Sequence, residues 1–226
     1  MIRCLTIICA LAAVGMPAAA QDQPWSFAFG AASDNRSKDV SKSDLGAYVW
    51  GEAEWGAASG LYAGPAFETI DAGGSRLELS PSAGFRTERL GFEWDANVAY
   101  KYRVDADPGY DHDAWEFTAD AARAIGPVKG RVRLQHSPDG TGSTGAWTWV
   151  AARAGVTLAP KLKAQAEIGH RSQENAPDYV GWNVGVEYAV SRQASVSLTY
   201  YSTDADADLA GRQYEDALVA GIAFGF

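Results

Sequence analysis

The amino-acid sequence predicts an all-β chain, a transmembrane antiparallel up-and-down β-barrel of about twelve strands that follows a cleaved signal peptide. Two observations lead to this prediction. Long segments alternate between apolar and charged side chains, and the connections between them alternate between short turns and longer acidic loops. A period of two is that of a β-strand with two chemically different faces, and no segment has the period of a helix.

The composition is that of a folded chain rather than a disordered one. The chain has 226 residues, of which 47% are hydrophobic and 12% aromatic, and its formal charge is −9 from 19 basic and 28 acidic residues. No nucleic-acid partner is expected, because such a partner requires a dense basic surface. The length fits a single all-β domain.

Residues 1–20 have the pattern of a secretory signal peptide. Arg3 precedes an apolar run from Cys4 to Met16, and the small residues Ala18 and Ala20 form a cleavage site. The run is too short to span a bilayer as a helix, so we expect cleavage and a barrel domain of residues 21–226. Both cysteines, Cys4 and Cys9, lie in the segment that is removed. The expected location is therefore the outer membrane of a Gram-negative bacterium, reached through the periplasm.

The strands are predicted in order from their alternation. The clearest is 90–104, where Leu90, Phe92, Trp94 and the following even positions are mostly apolar and the odd positions mostly polar. Its aromatic residues lie near both ends, as expected for the two interfaces of a bilayer. Similar alternation occurs in four other segments, and weaker alternation in seven more, giving the full order 25–33, 47–57, 60–70, 76–86, 90–104, 114–125, 128–135, 146–159, 162–171, 180–188, 194–203 and 213–226. Pro65 and Pro81 each remove a ladder donor and predict a bulge.

The connections fall into two classes. Short turns are predicted at 57–60, 87–89, 126–127, 160–161 and 191–193, and longer acidic loops at 34–46, 71–75, 105–113, 137–145, 173–179 and 203–212. Membrane barrels have short turns on the periplasmic side and long loops outside, so both termini are expected in the periplasm.

The last strand ends on an aromatic residue. Leu218, Ile222, Phe224 and Phe226 share its apolar face, and we expect them to form the C-terminal insertion signal that the barrel-assembly machinery reads. The alternative is a soluble β-sandwich, which would not place Lys, Arg, Asp and Glu so densely on one face of so many long strands.

Six stretches of the chain carry a resemblance to a known family. They are Ser-Asp-Asn within Ala32–Arg36, Ala99-Tyr-Lys-Tyr, Gln135-His-Ser-Pro-Asp-Gly, Ile168-Gly-His, Tyr179-Val-Gly-Trp-Asn-Val-Gly-Val-Glu-Tyr and Leu198-Thr-Tyr-Tyr-Ser-Thr-Asp. The chain resembles the TorF-like porin family of Gram-negative bacteria, although its early segment follows the family pattern only in part. The resemblance implies an outer-membrane barrel with a pore, and no particular solute or catalytic residue.

The polar faces predict a charged lumen in which acidic residues precede basic ones around the ring. The expected pore-lining residues are Glu52, Glu54, Glu93, Asp95, Lys101, Arg103, Glu116, Asp120, Lys129, Arg131, Arg133, Arg153, Lys163 and Arg171. Such an arrangement would give a transverse field, with Glu52 and Glu54 across from Arg153, and passive diffusion of small hydrophilic solutes. The alternative is a non-conducting structural barrel whose charges neutralise one another.

An outer-membrane lipid hydrolase is a further alternative, because His136, Ser137 and Asp139 lie close together in the sequence. Neighbouring residues of a strand point to opposite faces, so we expect no catalytic residues and no enzymatic activity. No metal site and no cofactor are expected, since the three histidines have no ligand spacing. The expected partners are outer-membrane lipid and lipopolysaccharide, the barrel-assembly machinery and small polar solutes.

Overall fold

The computed structural model describes residues 24–142 and 144–226, so the predicted signal peptide, residues 1–20, lies outside the described residues. The strands are β1 Trp25–Ala32, β2 Arg36–Ser37, β3 Val40–Ser41, β4 Tyr48–Gly56, β5 Leu61–Gly64, β6 Ala66–Ala72, β7 Ser75–Leu79, β8 Ser82–Arg89, β9 Phe92–Val104, β10 Asp113–Ile125, β11 Val128–Gly140, β12 Gly145–Ala159, β13 Leu162–Gln173, β14 Tyr179–Ala189, β15 Ala194–Thr203 and β16 Ala217–Gly225. A short helix, α1, covers Ala207–Ala210, and a 3-10 turn covers Arg212–Tyr214. None of the helices within the described residues is long and apolar enough to cross a bilayer.

These segments form one closed, antiparallel ring of twelve strands, as predicted. β5 and β6 together make one strand that Pro65 interrupts, β7 and β8 make another that Pro81 interrupts, and β2 and β3 form a separate hairpin. β1 closes the ring because it pairs with β16 on one side and with β4 on the other. At both prolines the carbonyl still accepts a ladder hydrogen bond, from Ala53 N to Pro65 O at 3.0 Å and from Tyr100 N to Pro81 O at 2.9 Å.

Three predicted boundaries were wrong. β8 continues through 87–89, and the turn is formed by Leu90 and Gly91, whose φ angles of 56° and 73° suit a two-residue hairpin. Leu90 is apolar and therefore extended the apparent alternation, but it is 85% exposed at the turn. β11 likewise runs to Gly140, which shortens the loop predicted at 137–145. The last strand begins at Ala217 rather than 213, because the 3-10 turn occupies the preceding residues.

The outer surface of the ring is apolar. Large hydrophobic side chains are exposed along the strands, with aromatic residues such as Trp25 and Trp55 near the short turns and Trp115 and Trp182 near the long loops. A water-soluble protein does not expose so extensive an apolar surface, whereas a membrane barrel requires one, with aromatic residues at both interfaces. The inner surface carries the charged residues.

A small apolar cluster fills part of the barrel interior at the long-loop end. Trp147, Trp149, Tyr179 and Tyr214 pack there with Val40, and Trp149 is only 1% exposed. Val40 and Tyr214 belong to the connections after β1 and β15, so two long connections fold inward against β12 and β14. The cluster narrows the interior on this side.

Gly169 on β13 provides the space for the Trp149 ring, and replacing it tests this packing. A Cβ at Gly169 would overlap the indole of Trp149, whereas a Cβ at Gly130 on β11 would lie 3.9 Å from its nearest atom, Arg123 O. We expect Gly169→Ala to lower the free energy of unfolding by about 1–3 kcal/mol, the usual cost of overpacking. Thermal unfolding in detergent measures this, and Gly130→Ala is the matched control. Equal stability of the two variants would contradict the packing described.

Candidate functional site

The connection between β1 and β4, residues 33–47, folds into the barrel, and we call it the inner loop. Its hairpin of β2 and β3 turns at Lys38 and Asp39, whose φ angles are 53° and 67°. Asp34 holds the base of the loop together, because its carboxylate accepts hydrogen bonds from Arg36 Nε at 2.5 Å, Ser41 Oγ at 2.6 Å and Ser43 Oγ at 2.9 Å. Asp34 and Arg36 are buried. The inner loop is therefore a folded unit with its own hydrogen bonds.

One side of the inner loop is attached to the wall by an ion-pair cluster around Glu78. Lys42 of the loop pairs with Glu68 on β6 and, at 2.9 Å, with Glu78 on β7. Glu78 also lies 3.4 Å from both Lys101 Nζ and Arg103 Nε on β9. Since Glu78 is 1% exposed, this carboxylate depends on the surrounding cations for its charge compensation.

The tip of the inner loop contacts the opposite part of the ring. Lys38 Nζ lies 3.2 Å from a Glu116 carboxylate oxygen on β10 and 4.2 Å from the centre of a Trp147 ring on β12. On β14, Asn183 Nδ2 donates to Asp39 Oδ1 at 2.7 Å, and Tyr179 Oη donates to the Lys38 carbonyl at 2.7 Å. The inner loop thus crosses the interior from β6 and β7 to β14.

Burial shifts the pKa values of the two titratable groups at this tip, Lys38 and Asp39, in the directions that disfavour their charged forms. The pKa of Asp39 is raised to about 7, first by burial and then by Glu167, against the effects of Asn183 and Arg36. The pKa of Lys38 is lowered to about 8 by burial and by nearby cations, although Glu116 opposes the shift. Both groups lie in the inner loop rather than in a membrane-spanning strand.

A second charged cluster lies near the short-turn end. Arg86 on β8 donates two hydrogen bonds to Glu54 on β4, at 2.7 and 2.8 Å, and a third to Asp95 on β9, at 2.7 Å. Tyr62 Oη donates to Asp95 at 2.6 Å, and the guanidinium of Arg86 lies 3.7 Å from the centre of the Tyr62 ring. Arg86 therefore compensates the charges of two carboxylates, Glu54 and Asp95, near the short-turn end of the interior.

A third cluster occupies the wall from β10 to β13. Arg133 makes a bidentate pair with Asp120, at 2.8 and 2.7 Å, and Arg131 pairs with Glu167 at 2.7 Å. Arg153 hydrogen-bonds Gln165 on the neighbouring strand. Opposite charges thus pair between strands that are adjacent or one strand apart, and Glu54 pairs with Arg86 on its own side of the ring.

A cavity of about 640 Å³ remains inside the barrel beside the inner loop. At the long-loop end it is lined by Tyr110, Thr141 and Gln213, and towards the short turns by Glu54 and Asp95. Nine of the fourteen residues predicted to line a pore border it, namely Glu52, Glu54, Asp95, Lys101, Arg103, Glu116, Asp120, Arg133 and Arg171.

The other five predicted residues lie elsewhere in the interior or at its end. Arg131 and Arg153 are in the third cluster, Glu93 and Lys129 pair at 2.6 Å with both side chains partly exposed, and Lys163 is the register partner of Glu187. Further charged residues of the interior were not predicted from the sequence, among them Asp34, Arg36, Lys38, Asp39, Lys42, Glu68, Glu78, Arg86 and Glu167. Glu78, Arg86 and Glu167 lie on predicted polar strand faces. Lys38 and Lys42 lie in a predicted loop, where the alternation of apolar and polar residues gives no information.

The hydrolase alternative has no assembled site. His136 Nδ1 lies 3.0 Å from Thr148 Oγ1, while Ser137 is buried and donates to the Asp139 carbonyl at 3.0 Å. The histidine and the serine point to opposite faces, so no proton relay joins them. Within residues 24–142 and 144–226, no group of three or more His, Cys, Asp or Glu residues is arranged to hold a metal ion.

The fold is similar to those of several solved outer-membrane barrels. The KdgM porin matches with a TM-score of 0.63 at 7% identity, covering 89% of this chain and 99% of that one. The NanC porin matches with a TM-score of 0.59 at 8% identity, covering 88% and 98%. An outer membrane channel from Pseudomonas putida F1 matches with a TM-score of 0.54 at 9% identity, covering 91% and 96%. At these identities the similarity concerns the fold.

Sequence comparison gives the family. The search of curated proteins found no match. A family model described as "Bacterial protein of unknown function (Gcw_chp)" matches residues 18–223, whereas the resemblance to the TorF-like family stays a prediction. Because the match covers nearly the whole chain, the protein belongs to the Gcw_chp family.

Proposed function

We propose that the protein is an outer-membrane channel for passive diffusion of small hydrophilic solutes. The observation that carries this proposal is the polar cavity of about 640 Å³, which extends from the long-loop end towards the short turns inside a closed barrel with an apolar outer face. A wall apolar outside and charged inside suits a water-filled passage through lipid. The similar solved structures are porins and channels, which supports the proposal at the level of the fold.

The proposal includes the outer membrane of a Gram-negative bacterium as the location, after export through the periplasm. Leu218, Ile222 and Phe226 are exposed on the outer face of the last strand, and the Phe224 ring stacks on Phe29 at 5.2 Å. This exposed apolar face supports recognition of the last strand by the barrel-assembly machinery. Outer-membrane lipid and lipopolysaccharide would then surround the apolar face.

The first test is single-channel recording of the protein purified from the outer membrane of an expressing Gram-negative host. We expect discrete conductance steps in a planar bilayer, because the cavity leaves a polar route beside the inner loop. One similar structure is the "KdgM porin in complex with disordered oligogalacturonate", so added oligogalacturonate is a suitable first blocking solute, to be compared with a neutral oligosaccharide. Insertion of a folded barrel without current would overturn the proposal.

Arg86 provides a test of ion selectivity. Arg86→Gln leaves Glu54 and Asp95 without their shared cation, so passing cations should be favoured. Loss of one positive charge at about 5 Å in a water-like medium favours a passing cation by about 0.8 kcal/mol and disfavours an anion by the same amount. The cation-to-anion permeability ratio should therefore rise about sixteenfold. Reversal potentials in a salt gradient measure this ratio.

Arg76→Gln is the matched control, because the side chain of Arg76 is 77% exposed and pairs with Asp71 outside the charged cluster. Arg86→Lys keeps the charge and should keep most of the selectivity. If Arg86→Gln and Arg76→Gln give the same reversal potential, the passage does not run past Glu54 and Asp95.

A non-conducting structural barrel is the second candidate. The observation in its favour is the extent of charge neutralisation in the interior, where Arg133 is bound to Asp120 and the inner loop is bound across the ring. The two candidates differ in one measurable property, the presence of current through a folded and inserted barrel.

A further inference from the structure

The inner loop is held differently at its two sides. On the side of β6 and β7, Lys42 forms ion pairs with Glu68 and Glu78. At the tip, Asp39 lies against β14, where Asn183 satisfies Oδ1, while Oδ2 is buried and has no hydrogen-bond partner among the residues that the structure describes. A buried carboxyl group with one unsatisfied oxygen costs less free energy as a neutral acid than as an anion, because burial penalises the charged form most.

Backbone strain is concentrated in the same loop. Lys38, Asp39, Asp44 and Leu45 all have positive φ angles, of 53°, 67°, 49° and 64°, and none of them is glycine. Residues of this kind persist in the left-handed region only when surrounding contacts impose it. Release of the tip from β14 would therefore remove contacts that hold a strained turn in place.

The part of the wall that contacts the tip, on β14, leaves space for the Asp39 side chain. Gly181 on β14 lies directly beneath Asp39, and a Cβ at this position would be 2.6 Å from Asp39 Oδ2. Tyr179 on the same strand donates to the Lys38 carbonyl. The tip therefore fits closely against β14, and a single methyl group added at Gly181 would disturb this contact.

We propose that the inner loop is a pH-responsive strap, docked on β14 when Asp39 is protonated and released from it when Asp39 is ionised. The inference rests on the proposed channel function, since release of the tip would widen the passage beside it. The ion pairs of Lys42 keep the other side of the loop attached, and Lys38 stays paired with Glu116 on β10, so the change is a movement of Asp39 away from β14.

The direction in which docking changes with pH follows from the proton linkage of Asp39. Its pKa is raised from 3.8 to about 7 in the docked state, so docking is strongest below the ordinary value and is lost progressively as the pH rises to 7. The groups facing Asp39 are Arg36 of the loop, Glu167 on β13, Asn183 and Tyr179 on β14, and Tyr201 on β15. The pKa of Lys38 is about 8, so Lys38 stays charged below that pH and does not produce the change.

The test is single-channel conductance of the full-length protein, purified from membranes, at several pH values. Between about pH 5 and about pH 7.5 we expect the ratio of the released to the docked conductance level to rise roughly tenfold or more. Asp39→Asn is neutral at every pH and keeps an oxygen for Asn183, so it should stay docked with low conductance throughout. Asp44→Asn, an exposed site on the same loop, should behave as the unmodified protein.

Gly181→Ala should give the opposite phenotype, a high conductance independent of pH, because the added methyl group would prevent Asp39 from packing against β14. Gly155→Ala is its control, since the nearest atom to a Cβ added there, Ala164 O, would be 3.7 Å away. An Asp39→Asn variant that keeps the pH response would overturn the inference, because the response would then come from another group. Conductance without any pH response would also overturn it, whereas absence of conductance in every variant would overturn the proposed channel itself.

Discussion

Closure of the sheet between β1 and β16 is the constraint on which the rest of the structure depends. Because the ring has no open edge, its backbone hydrogen bonds are made within the wall, and the outer face can be apolar without exposing unpaired N–H and C=O groups. Closure also directs alternate side chains of twelve strands into one narrow interior. The interior therefore receives a high density of charged groups, and their pairing decides how much space is left.

Strand register creates electrostatic conflicts that the interior has to resolve. Glu68 is the register partner of Glu78, and Asp95 is the register partner of Asp120, so like charges lie directly opposite one another. In the second pair, Arg86 compensates the charge of Asp95 and Arg133 compensates that of Asp120. The wall also supplies Lys101 and Arg103 near Glu78, but it is Lys42 of the inner loop that contacts both members of the first pair. The inward fold of the loop thus has an electrostatic cause.

Alternation in the sequence predicts the ring well because the same physical rule, apolar outside and polar inside, acts on each strand. It fails at Leu90, where an apolar residue in a turn continues the pattern by chance, and at 213–216, where a turn precedes the last strand. The candidate site is predicted less completely. Glu78 and Arg86 stand on polar faces that the alternation identifies, but the partners of Glu68 and Glu116 are loop lysines. Their inward position depends on tertiary contacts far apart in the sequence, such as Asp39 with Asn183.

The position of the inner loop makes it more important than the wall for the size of the passage. The wall of a closed ring has a fixed circumference, because changing it would require new strand pairings along whole ladders. The loop is joined to the wall by a few side-chain contacts, and these differ in kind. Lys42 is held by two carboxylates and Lys38 by Glu116, whereas the contact of the tip with β14 consists of neutral hydrogen bonds from Asn183 and Tyr179. The loop is therefore attached ionically to β6, β7 and β10 but through uncharged groups to β14, so its contact with β14 is the one that can open without breaking an ion pair, and solute size is then controlled there.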